Sequence, residues 1–161
     1  MTKEKLGFTD FIDTVDIDCQ PFVTELHNDL TANGCKIEVK AAKSGYVVSY
    51  ILGKKTVANY VFRKKGLIMR IYANHIRAYM PFLDTLPDDM VKAIQAAPPC
   101  KRFINPNDCN SKCAMGYDFI LRGEPYQKCR YNAFMFLITE ETKPFIQAFL
   151  LHEVEASRQS S

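Results

Sequence analysis

The sequence predicts an α+β fold: a single antiparallel sheet of about five or six strands with helices packed on one face. Three observations carry this reading. The hydrophobic period changes from helical spacing to strict alternation after Gly34, four alternating runs then follow with glycine-containing turns between them, and helical spacing returns after Lys143. With 161 residues, 47% of them hydrophobic, the chain has the size of one domain and needs no disulfide staples to bury a core. No repeat, low-complexity stretch or composition break divides it. Residues 1–161 therefore read as one domain, with an acidic segment at 1–17, a cysteine-rich loop and hairpin at 100–131 and a polar tail at 157–161 that is expected to fray.

The first helix is expected over residues 19–33, where Phe22, Val23, Leu26 and Leu30 recur on one face. Asp18 precedes it, Pro21 sits in its first turn, and Asn33 with Gly34 stops it. From Cys35 the alternation of Ile37, Val39 and Ala41 with Lys36, Glu38 and Lys40 marks a strand. Ser44 and Gly45 turn the chain into Tyr46–Leu52, Gly53 and Lys54 into Thr56–Phe62, and Lys65 and Gly66 into Leu67–Ala73, which together predict a four-stranded meander. Asn74 is placed to cap a short helix carrying Ile76, Tyr79 and Met80 that Pro81 interrupts. A helix follows from Thr85, with Pro87 in its first turn and Asp88 and Asp89 at the positive end of its dipole, stopping at Pro98 and Pro99. The stretch CKRFINPNDCNSKC is rich in turn formers and reads as a loop. Tyr117–Leu121 and Tyr126–Ile138 read as a hairpin around Arg122 and Gly123, and Lys143–Ala156 as the last helix.

Charge is unevenly spread. Residues 1–35 hold two lysines against seven acids, a balance of −5, whereas residues 36–77 hold ten lysines and arginines against Glu38 alone, a balance of +9. The basic stretch is compatible with phosphates, nucleic acid or an acidic partner, yet lysines at turns and edge strands also serve solubility, and no nucleic-acid motif accompanies them. No run of eighteen apolar residues and no signal-peptide pattern occurs, which predicts a cytosolic protein without membrane contact.

Four of the six cysteines, Cys100, Cys109, Cys113 and Cys129, fall in one segment with the spacing C-x8-C-x3-C-x15-C. In a reducing compartment such a cluster reads as metal ligands or redox thiols before disulfides. Four thiolates close a tetrahedral zinc site and leave a formal charge of −2, which Lys101, Arg102, Lys112, Lys128 and Arg130 are placed to offset. A structural zinc is the expected cofactor. An iron–sulfur cluster ranks below it because ferredoxin spacings are missing, and simple packing of some thiols, Cys129 among them, is the plain alternative. Cys19 and Cys35, at the ends of the first helix, read as core residues. Of the histidines, His27 and His152 lie on helices where packing explains them. His75 follows a strand end beside Arg70, Asn74 and Arg77, so Arg70, Tyr72, His75 and Arg77 are the candidate ligand-binding residues. Tyr46, Tyr50, Tyr60 and Tyr72 are expected to line a sheet face or cleft with Arg70.

The segment GYVVSYILGKKTVANYVFRKKGLIMRIYANH with the helices after it, and the closing strand and helix NAFMFLITEETKPFIQAFLLHEVEA, resemble the YdhG-like group of small bacterial domains on a frataxin-like scaffold. The resemblance rests on pattern and turn placement, covers roughly half of the chain and leaves the cysteine segment unmatched. It implies the fold. It carries over no functional residues. Frataxin-like proteins present an acidic first helix to iron, and Asp10, Asp13, Asp16, Asp18 and Asp29 permit a similar iron surface by analogy alone, since acids at a helix N-terminus ordinarily serve the dipole and solubility.

No nucleophile elbow, glycine-rich phosphate loop, H-E-x-x-H or C-x-x-C is present, and a zinc closed by four cysteines has no vacant position, so binding ranks above catalysis. The expected function is a binding or regulatory module for a small molecule or an acidic protein partner, with a structural zinc. A thiol-based redox or iron-handling protein is the second expectation, and nucleic-acid binding through residues 36–77 the third.

Overall fold

The computed structural model describes residues 6–43, 45–101 and 116–159. It has the α+β architecture expected, and the meander is where alternation places it: β1 (Lys36–Ala42), β2 (Gly45–Leu52), β3 (Lys55–Arg63) and β4 (Gly66–Ile71) pair antiparallel in succession. Their alternate residues Val39, Val48, Tyr50, Tyr60, Met69 and Ile71 are buried on one face. Helices α2 (Gln20–Ala32) and α4 (Lys143–Gln159) cover that face with the stripes Phe22, Val23, Leu26, Leu30 and Ile146, Phe149, Leu150.

The region after β4 positions the site. Two 3-10 turns, Ile76–Ala78 and Met80–Thr85, replace the short helix expected there, and α3 (Asp88–Ala96) follows and ends before Pro98. Strands β5 (Tyr117–Leu121) and β6 (Glu124–Lys128) form a hairpin whose turn places Arg122 at φ 49° and Gly123 at φ 83°. This is the left-handed pair a two-residue hairpin turn requires.

Residues 126–138 are not the single strand that alternation suggested. Strand β6 ends at Lys128, the amides of Asn132 and Ala133 return to the carbonyl of Cys129 at 3.1 and 2.8 Å, and β7 (Met135–Leu137) joins the main sheet beside β4. The main sheet therefore has the order β1-β2-β3-β4-β7, and β5-β6 is a separate two-stranded sheet. Alternation continues through both segments because each buries alternate residues, but it does not reveal that the partner strand has changed.

Two further differences lie at the ends. Helix α1 (Phe8–Ile12) was not foreseen. The Asp10 carboxylate accepts from the Gly7 N–H at 2.8 Å, and Phe11 is fully buried against Tyr60 at 4.9 Å between ring centroids. Helix α4 runs on to Gln159 instead of fraying from Ser157, because Arg158 and Gln159 both donate to the Glu155 carboxylate one turn back. Among the described residues, no helix is long and apolar enough to cross a membrane.

His27 of α2 is a packing residue, as its helical position indicated. Phe8 stacks on it at 3.9 Å and its Nδ1 shares a 3.2 Å hydrogen bond with the Tyr50 hydroxyl. Burial lowers its pKa below the usual 6.5. The unfolded chain then takes up this proton at higher pH than the folded one, so the contribution to stability is complete above pH 6.5 and is lost as pH falls below it. In thermal unfolding between pH 7.5 and 5.5, His27→Gln should show a decline in Tm about 1–2 °C smaller than the parent protein, the ring being only part-buried. Equal declines would remove His27 from the pH dependence.

Candidate functional site

Where the first 3-10 turn meets the start of β5, a cleft of about 490 Å³ opens. That volume suits a small molecule. His75 and Arg77 line one side, Tyr117 and Asp118 the other, and Asn74 and Arg130 stand between them. The chain turns sharply after β4 because a carboxylate from far along the sequence holds it. Glu153 of α4 is completely buried; its Oε1 accepts from the His75 backbone N–H at 2.9 Å and from the Tyr79 hydroxyl at 2.7 Å, and its Oε2 accepts from His75 Nδ1 at 2.7 Å. Three donors satisfy a carboxylate that would otherwise be very costly in the core. Burial first, then the Glu153 charge, raises the Tyr79 pKa far above its usual value, so its hydroxyl stays a donor.

The opposite wall is organised by Arg130. Its Nη1 donates to Asn74 Oδ1 at 2.7 Å, and the guanidinium lies over the Tyr117 ring, 5.1 Å from the centroid. Burial raises the Tyr117 pKa, opposed by Arg130 and by the Ala73 backbone. The Tyr117 hydroxyl is buried in the cleft wall without a hydrogen bond of good geometry. At the rim, Arg77 and Asp118 face each other at 3.7 Å, an exposed pair of little energetic weight.

The cysteine region adjoins this wall. Pro99 bridges Lys128 of β6, with Cys100 N–H donating to the Gln127 carbonyl at 3.1 Å and Cys129 N–H to the Pro98 carbonyl at 2.9 Å. Cys100 and Cys129 thus flank the same isolated bridge, at diagonal positions on its two strands. Each sulfur accepts a hydrogen bond, Cys100 Sγ from the Gly116 N–H at 3.2 Å and Cys129 Sγ from Asn132 Nδ2 at 3.4 Å. Cys109 and Cys113 lie outside the described residues. Among the described residues no group of three or more His, Cys, Asp or Glu side chains is placed to hold a metal, and the acids of residues 10–29 do not converge on one.

The structure distributes the other expected residues differently from the sequence reading. His75 and Arg77 share the cleft, whereas Arg70 and Tyr72 project from the sheet face opposite the helices, where the Tyr72 hydroxyl accepts from Asn59 Nδ2 at 3.3 Å. Tyr50 and Tyr60 point to the helix-covered face, so the tyrosines do not line one surface. Lys128, expected beside the sulfurs, donates to the carbonyls of Gln95 and Ala97 at 2.8 Å each and closes the C-terminus of α3. Cys35 is buried, its thiol pushed up to about 11, as befits a packing residue, while Cys19 is half-buried. His152 is exposed on α4, its ring against Tyr79 and Phe82. Glu153 and Tyr117 were missed as site residues. Glu153 carried a legible signal, an acid on the apolar stripe of the last helix, four residues after Phe149 and three after Leu150.

Compared with known protein families, with curated proteins and with solved structures, the chain matches none.

Proposed function

We propose that the protein is a cytosolic binding module in which a structural zinc, held by Cys100, Cys109, Cys113 and Cys129, fixes one wall of a small-molecule cleft formed by His75, Arg77, Tyr117 and Arg130. One observation carries the reading: Gly116 belongs to both places. Its N–H donates to Cys100 Sγ, and Gly116 with the two residues after it lines the cleft. Backbone and amide N–H groups directed at sulfur are what a thiolate ligand requires, because they stabilise negative charge on the sulfur and orient it. Zinc here supplies tethering and no reaction. Arg77 and Arg130 then present donors, and His75 its other ring nitrogen Nε2, from walls held at both ends, the turn by Glu153 and the β5 side by the metal.

The test is the metal content of protein purified without chelator, paired with a thiol titration before and after denaturation. One zinc per chain with four thiols protected is the expected result. Chelation should then expose those thiols and broaden the NMR signals of residues 116–118. Metal-free protein with freely reactive thiols would overturn the reading in favour of a redox or iron-handling protein.

A further inference from the structure

The second sheet face carries an unbalanced cation of its own. Arg70 sits on β4 directly across from Asn59 of β3, within a depression of about 230 Å³ that shares no lining residue with the cleft. Its Nε is buried and has no hydrogen-bond partner, and its Nη2 meets only the Met135 thioether at 3.8 Å, a poor acceptor for a guanidinium. Arg63 and Tyr46 also line the depression, and none of its described lining residues is a carboxylate. Arginine does not relieve this by losing its proton, since its pKa is above 12.

Asn59 repeats the pattern. Its amide is tied to the Tyr72 hydroxyl at one end, while the other end is buried and unpartnered. A phenolic hydroxyl both donates and accepts, so the amide turned over keeps this bond with Tyr72 as donor and leaves Nδ2 as an unpartnered donor on a residue that lines the depression. A water molecule would satisfy the hydrogen bonds but not the charge. An oxyanion satisfies both, and the depression has room for one.

We propose that this depression is a binding site for a small oxyanion, a phosphate or carboxylate group, held between the guanidinium groups of Arg70 and Arg63 with the Asn59 amide as a third donor. The site is independent of the zinc and of the cleft. The anion compensates a half-buried charge on the central strands, so its binding stabilises the sheet.

The experiment is a titration with inorganic phosphate and, separately, sodium acetate, each at ionic strength fixed with sodium chloride. It is read by amide NMR shifts and by Tm, for the parent protein and for Arg70→Met and Arg63→Gln. The expected result is saturable shifts in β3 and β4 with a rise in Tm. Arg70→Met should weaken binding at least about tenfold, and Arg63→Gln, exposed and harmless to folding, a few-fold. Arg70→Met should itself fold at least as well as the parent in chloride alone, since methionine replaces an unpaired cation. Saturation by phosphate, by acetate or by both supports the site and identifies the oxyanion. No saturable shift in β3 and β4 with either anion, or an undiminished response in Arg70→Met, would overturn it.

Discussion

Replacing Glu153 by alanine is expected to cost the folded state about 3–5 kcal/mol, at the upper end of what one polar substitution removes. The carboxylate is wholly buried and accepts from the His75 amide, the His75 ring and the Tyr79 hydroxyl. Its removal leaves three donors without an acceptor and opens a cavity beside Phe149, which Tyr79 also contacts edge-on at 5.9 Å. For a chain of this length the corresponding drop in Tm is about 10 °C. Glu153→Gln keeps one oxygen for the His75 amide and Tyr79 but sets an NH2 against His75 Nδ1–H, so it should lose only about 1–2 kcal/mol. Denaturant unfolding ranks the two variants. If both fell within about 0.5 kcal/mol of the parent, as surface substitutions do, Glu153 would not be what holds the turn carrying Asn74, His75 and Arg77.

Gly116→Ala is the second large effect, and its cause is steric. A Cβ at this position would lie 2.1 Å from the Lys128 carbonyl oxygen and 2.7 Å from Cys100 Cβ. The first contact is backbone within the β5–β6 hairpin and has nowhere to go. Overpacking of this kind costs about 1–3 kcal/mol, and here the displacement also pulls the Gly116 N–H away from the Cys100 sulfur. If the proposed zinc is bound, its release to a chelator should accelerate about tenfold or more, in line with the loss of a group supporting a ligand. An alanine variant with unchanged Tm and unchanged release would show that Gly116 does not couple the thiols to the cleft.

Most of the main sheet is legible in the amino-acid sequence. Alternation through Ile37, Val39, Val48, Tyr60 and Met69 and the turns at Gly53 and Gly66 place β1 to β4 close to their observed limits, and the apolar stripes place α2 and α4. What was misread has a common cause. In residues 126–138 the alternation holds within β6 and β7 but is broken by a turn between Cys129 and Phe134, across which the chain changes sheets, because period reports which face is buried and not which strand lies alongside. Helix α1 is too short for a periodic signal, and what anchors it is the buried Phe11 with Phe8 and Ile12 packed beside it.

The candidate site divides along the same line. His75 and Arg77 were marked by their place after a strand end, and they do line the cleft. Arg70 and Tyr72, close by in sequence, point instead to the far face of the sheet, as strand residues two apart must share a face. Composition and period, which are local, determined the fold class, the meander, the two long helices and the clustering of four cysteines. Only the tertiary structure decided that Glu153 would reach back 78 residues to His75, that Arg130 would lie over Tyr117, and that Arg70 would stand unpaired across from Asn59. Those pairings join residues distant along the chain, and they form because burying the apolar faces forces buried polar groups to find partners wherever the fold brings them together.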